Sequence, residues 1–351
     1  EPTAQVPYDY KGLYIEELSE VINMEAIKAA GPKTLVDTLG GSGASYWKAI
    51  KERYGLDLTI IHDEYDPTFS FMTYDHDGKV RMDCSSPYVM KSVINRIGDF
   101  DLAVGNDPDY DRYGIVVSSG LVSANSFLTM AARYLFTTRG WKNKGIGKTV
   151  VCTTMIDKWA ASVEIPVFEV PVGFKYFSQL LFDGVIGIGG EESAGASFLK
   201  KDGTVWTTDK DGIIMALLSM EIMAVMGKSA LKMADDFAEN YGEPRFGRID
   251  APCKKEQKQI LKQLNAELIT ATSVDGDPIT GIRTTSMYNN MPIDGVRVET
   301  DKGWFVARPS GTEDLYKIYG ESYKGDLGLV ALLTAGEEIV NAALNGKIDA
   351  E

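Results

Sequence analysis

With 351 residues, 44% hydrophobic and 25% charged, the chain has the composition of an ordered globular protein, and its length asks for two or three cores rather than one. A formal net charge of −14 speaks against a nucleic-acid-binding role and leaves anion binding to a local convergence of cations. Cys84, Cys152 and Cys253 are scattered without metal-ligand spacing and read as buried thiols of a reducing, cytoplasmic compartment, while two histidines, His62 and His76, are too few for chemistry built on a histidine cluster.

The chain opens on Glu1 rather than Met, which reads as processing or an N-terminal piece left out; no signal peptide and no membrane-spanning apolar run is read. "KTLVD" (33–37) is a strand, "TLGGSG" a turn, "ASYWKAIKERYG" a helix and "LDLTIIH" a second strand. "SSPYVMKSVINRIG" is expected as a helix with a serine N-cap, followed by the strands "DFDLAVG" and "YGIVVS" and the helix "NSFLTMAARYLFTT". Strand alternating with helix points to an open α/β sheet covered on both faces. The Gly- and Lys-rich "RGWKNKGIGK" (139–148) marks a boundary, after which come strand "TVVCTT", helix "MIDKWAASV", strand "PVFEVP", then "VIGIGG" and the long apolar helix "DKDGIIMALLSMEIMAVMG", whose methionines read as core. A second boundary lies near "NYGEPRFGRID". The remainder, helix "KKEQKQILKQL", strands within "DGVRVETDKGWFVARPSG", strand "YKIYGES" and a closing helix, is a smaller α+β domain. The predicted architecture is thus two doubly wound α/β/α sandwich domains, 1–140 and 141–243, followed by an α+β domain, 244–351.

Three stretches offer chemistry. In "GNDPDYDRYG", Asp107, Asp109 and Asp111 alternate, so an extended loop can aim all three carboxylates at one hard cation such as magnesium; a solvated acidic turn is the alternative, and EF-hand spacing is absent. "GIGGEESAGASF" (187–198) joins paired glycines to Glu191, Glu192 and Ser193, an inventory for sugar hydroxyls or a capped Gly-rich turn. In "ARPSGTEDLYKIY" (307–319), Ser310, Gly311 and Thr312 can surround a tetrahedral anion beside Arg308 and Lys317, or form a charged surface turn. "DTLGGSG" (37–43) lacks the lysine of a P-loop and reads better as a strand-to-helix turn than as a fourth cradle.

The order of these stretches, "DPDYDR", "GFK", "GEES", "RPSGTE", resembles the α-D-phosphohexomutase superfamily and within it the bacterial glucose-phosphate-specific phosphoglucomutases; the likeness extends to "VDTLGGSG", "TDKDGII" and "GWFVARPSGTEDLYKIY". The resemblance implies a magnesium enzyme that interconverts glucose 1-phosphate and glucose 6-phosphate through glucose 1,6-bisphosphate. By it, Asp107, Asp109 and Asp111 hold the metal, Arg112 lies beside the transferring phosphoryl group, and Lys175 is a candidate for proton transfer. Glu191 and Ser193 hold sugar hydroxyls, with Lys210 near the substrate. Arg308, Ser310, Gly311 and Thr312 grip the other phosphate with Lys317 nearby.

Two departures stand out. Ala194-Gly195 occupies the place where many relatives have a histidine, which fits the glucose branch. No serine is followed by histidine, so the Thr-x-Ser-His-Asn-Pro-like loop that relatives phosphorylate has no counterpart in these residues. The expectation is therefore the family's second to fourth domains, inactive without the serine-bearing N-terminal domain as partner, and with an apolar patch exposed where that domain would pack. The hexose phosphate is the expected ligand, with no nucleic acid and no membrane. Two rivals remain: a non-catalytic sugar-phosphate sensor, which has no use for the aspartate loop, and a phosphatase with Asp107 as nucleophile, disfavoured by Asp111 where that chemistry wants threonine or valine.

Overall fold

The computed structural model describes residues 8–75, 78–227 and 230–346, so His76 lies outside it. The chain divides into two compact units, residues 1–145 with 177–234 and residues 146–176 with 235–351. Unit one opens with α1 (Tyr10–Val21), α2 (Met24–Ala30), β1 (Thr34–Asp37), α3 (Ala44–Tyr54), β2 (Leu58–Ile61), α4 (Lys91–Ile94), β3 (Leu102–Asn106), β4 (Tyr113–Val117), β5 (Gly120–Leu121) and α5 (Ala124–Thr138). The chain then gives β6 (Gly145–Thr149), α6 (Met155–Ser162) and β7 (Val167–Val170), followed by α7 (Ser178–Phe182), β8 (Ile186–Gly190), β9 (Ala196–Phe198) and α8 (Gly212–Met226). It ends with α9 (Ala230–Tyr241), β10 (Arg245–Pro252), α10 (Lys255–Lys262), β11 (Ser273–Val274), β12 (Asp277–Thr285), β13 (Pro292–Thr300), β14 (Gly303–Pro309), β15 (Leu315–Ser322) and α11 (Gly325–Leu344).

The first sheet runs β2-β1-β3-β4-β5 and is mixed: β1 is parallel to β2 and β3, whereas β4 and β5 return antiparallel. Every residue of β1, β3 and β4 is buried, the signature of a sheet covered on both faces. Leu35, Leu39, Met90, Val93, Ala103 and Val116 form one packed cluster. Helix α8, apolar all round and buried from Gly212 to Ile222, packs on β3 and β4, so its Met215 and Met220 are core. Its one charge, the fully buried Glu221, accepts from Arg139 Nη2 (2.7 Å), Tyr134 Oη (2.8 Å) and Asn23 N (2.8 Å) and so fixes α5 and the start of α2 against α8. β8 and β9 pair antiparallel in this unit, while β6 and β7 pair parallel in the other.

Three local expectations change. The long helix read over "SSPYVMKSVINRIG" shrinks to the four residues of α4, whose N-cap is Met90 with no side-chain cap. Asp83 accepts from Ser85 N (2.9 Å) and Oγ (2.7 Å), and this local turn, with Pro87 behind it, competes with a helix start while Val89 and Met90 still reach the core. The strand read at "TVVCTT" lies earlier, at Gly145–Thr149; Val150 and Val151 are spent on a different cluster, with Ile293, Trp304 and Val306. Finally, α11 is by length and composition apolar enough to cross a membrane, contrary to the reading that no such run exists. Here its stripe Gly328, Leu332, Gly336, Val340 and Ala343 is buried against the C-terminal sheet.

That sheet has the order β10-β15-β14-β13-β12-β11 and its pairings are antiparallel. β7 is tied to it by Glu169, which accepts from Arg283 Nη1 (2.8 Å) and Nη2 (3.2 Å), while Arg297 bonds Glu299 (2.6 Å) and the Val150 carbonyl (2.5 Å). Burial pushes the Glu169 carboxyl up, but the Arg283 bonds and the charges of Lys148 and Arg297 outweigh it and hold it below the usual range. α11 approaches the sheet closely at Gly336, where a Cβ would sit 2.7 Å from Ile318 Cγ2 and 3.2 Å from Phe305 Cδ2. Alanine there gains about 1 kcal/mol of helix propensity and loses about 1–3 kcal/mol to overpacking. Gly336→Ala is expected to lower the urea midpoint, and a raised midpoint would show that the helix has slack to move.

Candidate functional site

β3 ends at Asn106 and β4 begins at Tyr113, so the aspartates occupy the turn between these antiparallel strands, at the end of the sheet where the parallel pair β1 and β3 also terminates. Open α/β sheets place ligands beyond such carboxyl ends. One carboxylate oxygen from each of Asp107, Asp109 and Asp111 lies within 4.8 Å of the others. Burial, a hydrogen bond shared with Asp109 and the charges of Asp111 and Asp109 push the Asp107 pKa up to about 8, against the pull of a 2.9 Å bond from Arg112 N. Asp111 Oδ1 is buried with no hydrogen-bond partner, and Arg112 Nε stands 3.7 Å from it. A strained carboxylate, an orphaned oxygen and a third acid beside them fit a hard divalent cation.

The loop is seated by residues read in the sequence as a plain turn. A Cβ on Gly41 would lie 2.5 Å from Pro108 Cα, and one on Gly43 would lie 2.3 Å from the Tyr110 ring. Ser42 N and Oγ each donate to the Pro108 carbonyl at 2.9 Å, and Tyr110, at φ +65°, donates its hydroxyl to the Thr38 carbonyl at 3.1 Å. The glycines of "DTLGGSG" thus let the aspartate loop lie close.

The "GEES" stretch lies against the same loop. Tyr113 N donates to the Ala194 carbonyl (3.2 Å), and Arg112 and Gly195 form an isolated antiparallel bridge. A tight turn with Ala194 at φ +67° brings Glu191, 7% exposed, and the half-buried Ser193 to this junction. Lys210 crosses over Gly195, where a Cβ would meet its Cδ at 2.4 Å, and bonds Asp111 Oδ2 at 2.6 Å. Burial works against the Lys210 ammonium, but the Asp111 bond and charge and the Glu191 charge hold its pKa above the usual value. Likewise burial opposes the Arg112 guanidinium, and Asp83, Asp107 and Asp111 outweigh it. Next to Lys210, Asp211 caps α8 and accepts from Tyr14 Oη (2.9 Å) and Trp206 Nε1 (2.9 Å).

Unit one therefore gathers Asp107, Asp109, Asp111, Arg112, Glu191, Ser193 and Lys210. Unit two carries the rest. Arg308 on β14 and Lys317 on β15 are register partners, an arrangement of like charges that an anion would relieve. Glu313 takes Lys317 at 2.8 Å, whereas Arg308 Nε is buried with no hydrogen-bond partner. Ser310 is buried, its N bonded to the Leu315 carbonyl (2.8 Å) and its Oγ accepting from Glu313 N (3.2 Å), and Gly311 and Thr312 are exposed at the tip. Lys175 is exposed on a single 3-10 turn, Phe174–Tyr176, with its Nζ 5.1 Å from the Tyr176 ring centre. Sequence reasoning passed over Asp83, Tyr110, Tyr14, Trp206 and Asp211. The signal that was available for Asp211 is its place between Lys210 and the first turn of an apolar helix, where an acid caps.

The raised Asp107 pKa has a definite sign. A carboxyl whose pKa is higher in the folded than in the unfolded chain stabilises at low pH, and that stabilisation is lost as pH rises from about 4 through about 8. Without divalent metal, the thermal midpoint is expected to fall between pH 5 and pH 9, and magnesium is expected to restore it at the alkaline end. Metal affinity should also rise with pH up to about 8, since binding displaces a proton. A midpoint independent of pH and magnesium would remove the aspartates from the metal role.

Three domain descriptions of one family match the chain: "Phosphoglucomutase/phosphomannomutase, alpha/beta/alpha domain II" over residues 13–120, "alpha/beta/alpha domain III" over 123–241 and "C-terminal domain" over 249–327. The Phosphoglucomutase of Komagataeibacter xylinus is 46% identical over 338 residues, covering 95% of this chain and 61% of that protein, so the chain spans under two thirds of that relative's length. A Phosphoglucomutase/phosphomannomutase family protein from Burkholderia thailandensis superposes with a TM-score of 0.72 at 19% identity, over 97% of this chain and 66% of that one. Aspergillus fumigatus N-acetylphosphoglucosamine mutase, solved with GlcNAc-6P and magnesium, superposes at 0.61 with 16% identity, over 99% of this chain and 73% of that one. The three domain matches, in the order domain II, domain III and C-terminal domain along the chain, mean that the chain belongs to the phosphoglucomutase/phosphomannomutase family and carries its domains II, III and C-terminal domain.

Proposed function

We propose that this chain supplies the metal, sugar and phosphate stations of a phosphoglucomutase, which interconverts glucose 1-phosphate and glucose 6-phosphate with magnesium through glucose 1,6-bisphosphate in the cytoplasm. The observation that carries the reading is the junction of the aspartate loop with the "GEES" turn, bridged at Arg112 and Gly195 and crossed by Lys210. Phosphoryl transfer depends mainly on positioning and on neutralising the phosphoryl oxygens, and it is that neutralisation that magnesium supplies when bound by Asp107, Asp109 and Asp111. Arg112 and Lys210 add cations on the chain's own side. Glu191 accepts from sugar hydroxyls and Ser193 donates to them. Lys175 is the candidate for moving a proton to or from the reacting hydroxyl. Arg308, Lys317, Ser310, Gly311 and Thr312 hold the phosphate that does not transfer, by charge-assisted hydrogen bonds.

The phosphoryl-carrying serine loop implied by the resemblance has no counterpart among the 351 residues, so we assign that step to a partner domain of the same protein. A coupled assay for glucose 6-phosphate formation, with magnesium and a trace of glucose 1,6-bisphosphate, tests this. The chain alone should give no turnover, and the chain joined to a serine-loop domain should give turnover that Asp109→Asn lowers by roughly a thousandfold, the several kcal/mol a metal supplies. Turnover by the chain alone would mean that another residue accepts the phosphoryl group. Binding of the bisphosphate with no turnover in either form would favour the sensor reading.

The phosphate station gives a separate expectation. Arg308→Ala should weaken glucose 6-phosphate binding by about 10- to 100-fold, the worth of one hydrogen bond to a charged group. Calorimetric titration would measure it, and unchanged affinity would move the phosphate grip elsewhere.

A further inference from the structure

We propose that Asn106 is a positioning residue for the aspartate loop: its amide staples the two ends of the loop together and so sets the spacing of the three carboxylates. This rests on reading Asp107, Asp109 and Asp111 as the metal-holding set. Asn106 is the last residue of β3 and is fully buried. Its Nδ2 donates to the Arg112 carbonyl at 2.9 Å, spanning the whole loop, and its Oδ1 accepts from Trp47 Nε1 at 3.0 Å. Arg112 N in turn donates to Asp107 Oδ1 at 2.9 Å. Two bonds of opposite direction thus tie residues 106 and 107 to residue 112.

The amide has little freedom to leave. Trp47, on α3, is itself fully buried. On the other side stands Gly212, the first residue of α8, whose N donates to the Tyr110 carbonyl at 2.9 Å. A Cβ on Gly212 would lie 2.1 Å from the Arg112 carbonyl oxygen and 2.7 Å from Asn106 Nδ2. The inner carbonyls of the loop at Pro108, Tyr110 and Arg112 are therefore received by Ser42, Gly212 and Asn106 from three different elements. With the base held, Asp109 is the exposed tip of the loop.

The residue type follows from the chemistry. The position needs a donor toward a carbonyl and an acceptor toward an indole on one short planar head, which only asparagine offers. Aspartate would set an oxygen against the Arg112 carbonyl and add a fourth negative charge beside the other three. Alanine would leave the indole N–H and the Arg112 carbonyl buried without partners.

The test is a Mn2+ titration of the 351-residue chain, read by electron paramagnetic resonance, with thermal midpoints measured in parallel. The wild type should bind, and Asp109→Asn should abolish binding. Asn106→Ala should weaken binding by about 10- to 100-fold, the usual loss on removing a residue that orients metal ligands. Trp47→Phe should weaken it less, since the indole only orients the amide. Asn106→Asp should also weaken it, whereas added negative charge alone would tighten it. Ser219→Ala removes a buried hydroxyl bonded to the Ala216 carbonyl, away from the loop, and should lower the midpoint without changing affinity.

Wild-type affinity in Asn106→Ala, or tighter binding in Asn106→Asp, overturns the staple while the metal reading stands. No binding by the wild type, or equal binding by Asp109→Asn, overturns the metal reading and the staple with it. Should Asn106→Ala not fold, Trp47→Phe decides: weakened binding supports the staple, and unchanged binding overturns it.

Discussion

Three carboxylates held within 4.8 Å of one another, one of them nearly buried, are a repulsion that the rest of unit one is arranged around. Burial first, and after it the bond to Asp109 and the charges of Asp111 and Asp109, push the Asp107 pKa up to about 8, and Asp111 Oδ1 is left without a hydrogen-bond partner. Cations answer it from two sides, Arg112 within the loop and Lys210 from the start of α8. Small residues answer it from below, because only Gly41 and Gly43 leave room for Pro108 and Tyr110 to lie close. Burying a charge without such partners costs several kcal/mol, so a loop of this kind persists only where the scaffold around it is fully committed.

The supporting scaffold is itself polar and buried. Glu221 joins α8, α5 and α2 through Arg139, Tyr134 and Asn23, and Asp211 joins the start of α8 to Tyr14 and Trp206. Buried pairs of this sort add little net stability over apolar packing, but they accept only one register. That property is what a site demands, since a helix that slid by one turn along the sheet would carry Lys210 away from Asp111. Unit two follows the same rule with Glu169, Arg283, Glu299 and Arg297, which hold β7 and the Val150 carbonyl to the C-terminal sheet. There the cation pair Arg308 and Lys317 comes from strand register alone: two residues nine apart in sequence become direct neighbours across β14 and β15.

Much of the fold was legible because the strongest signals are periodic. The buried runs of β1, β3 and β14 and the apolar α8 each declare their type locally. The errors fell where apolar residues are spent on something other than regular structure. Val150 and Val151 look like strand residues, but they pack on Trp304 and Val306, and Val89 and Met90 reach the core from turns after Asp83 and Pro87. α11 is apolar and long enough to pass for a membrane span although the sequence reading had no such run, and its buried stripe and two close glycines belong to a helix lying on a sheet.

The sequence by itself determined the chemical inventory and its order: three alternate aspartates with an arginine, a Gly-Glu-Glu-Ser turn, an Arg-Pro-Ser-Gly-Thr loop, and the family these match. Those are properties of neighbours along the chain, where spacing alone limits what the side chains can reach. Only the tertiary structure decided which stations share a unit, that the glycines after β1 seat a loop some seventy residues later, and that Asn106, Trp47 and Gly212 close around its ends. The reason is physical: hydrogen bonds and close contacts between residues far apart in the chain depend on how strands and helices stack. No local pattern of hydrophobic and polar residues encodes that stacking.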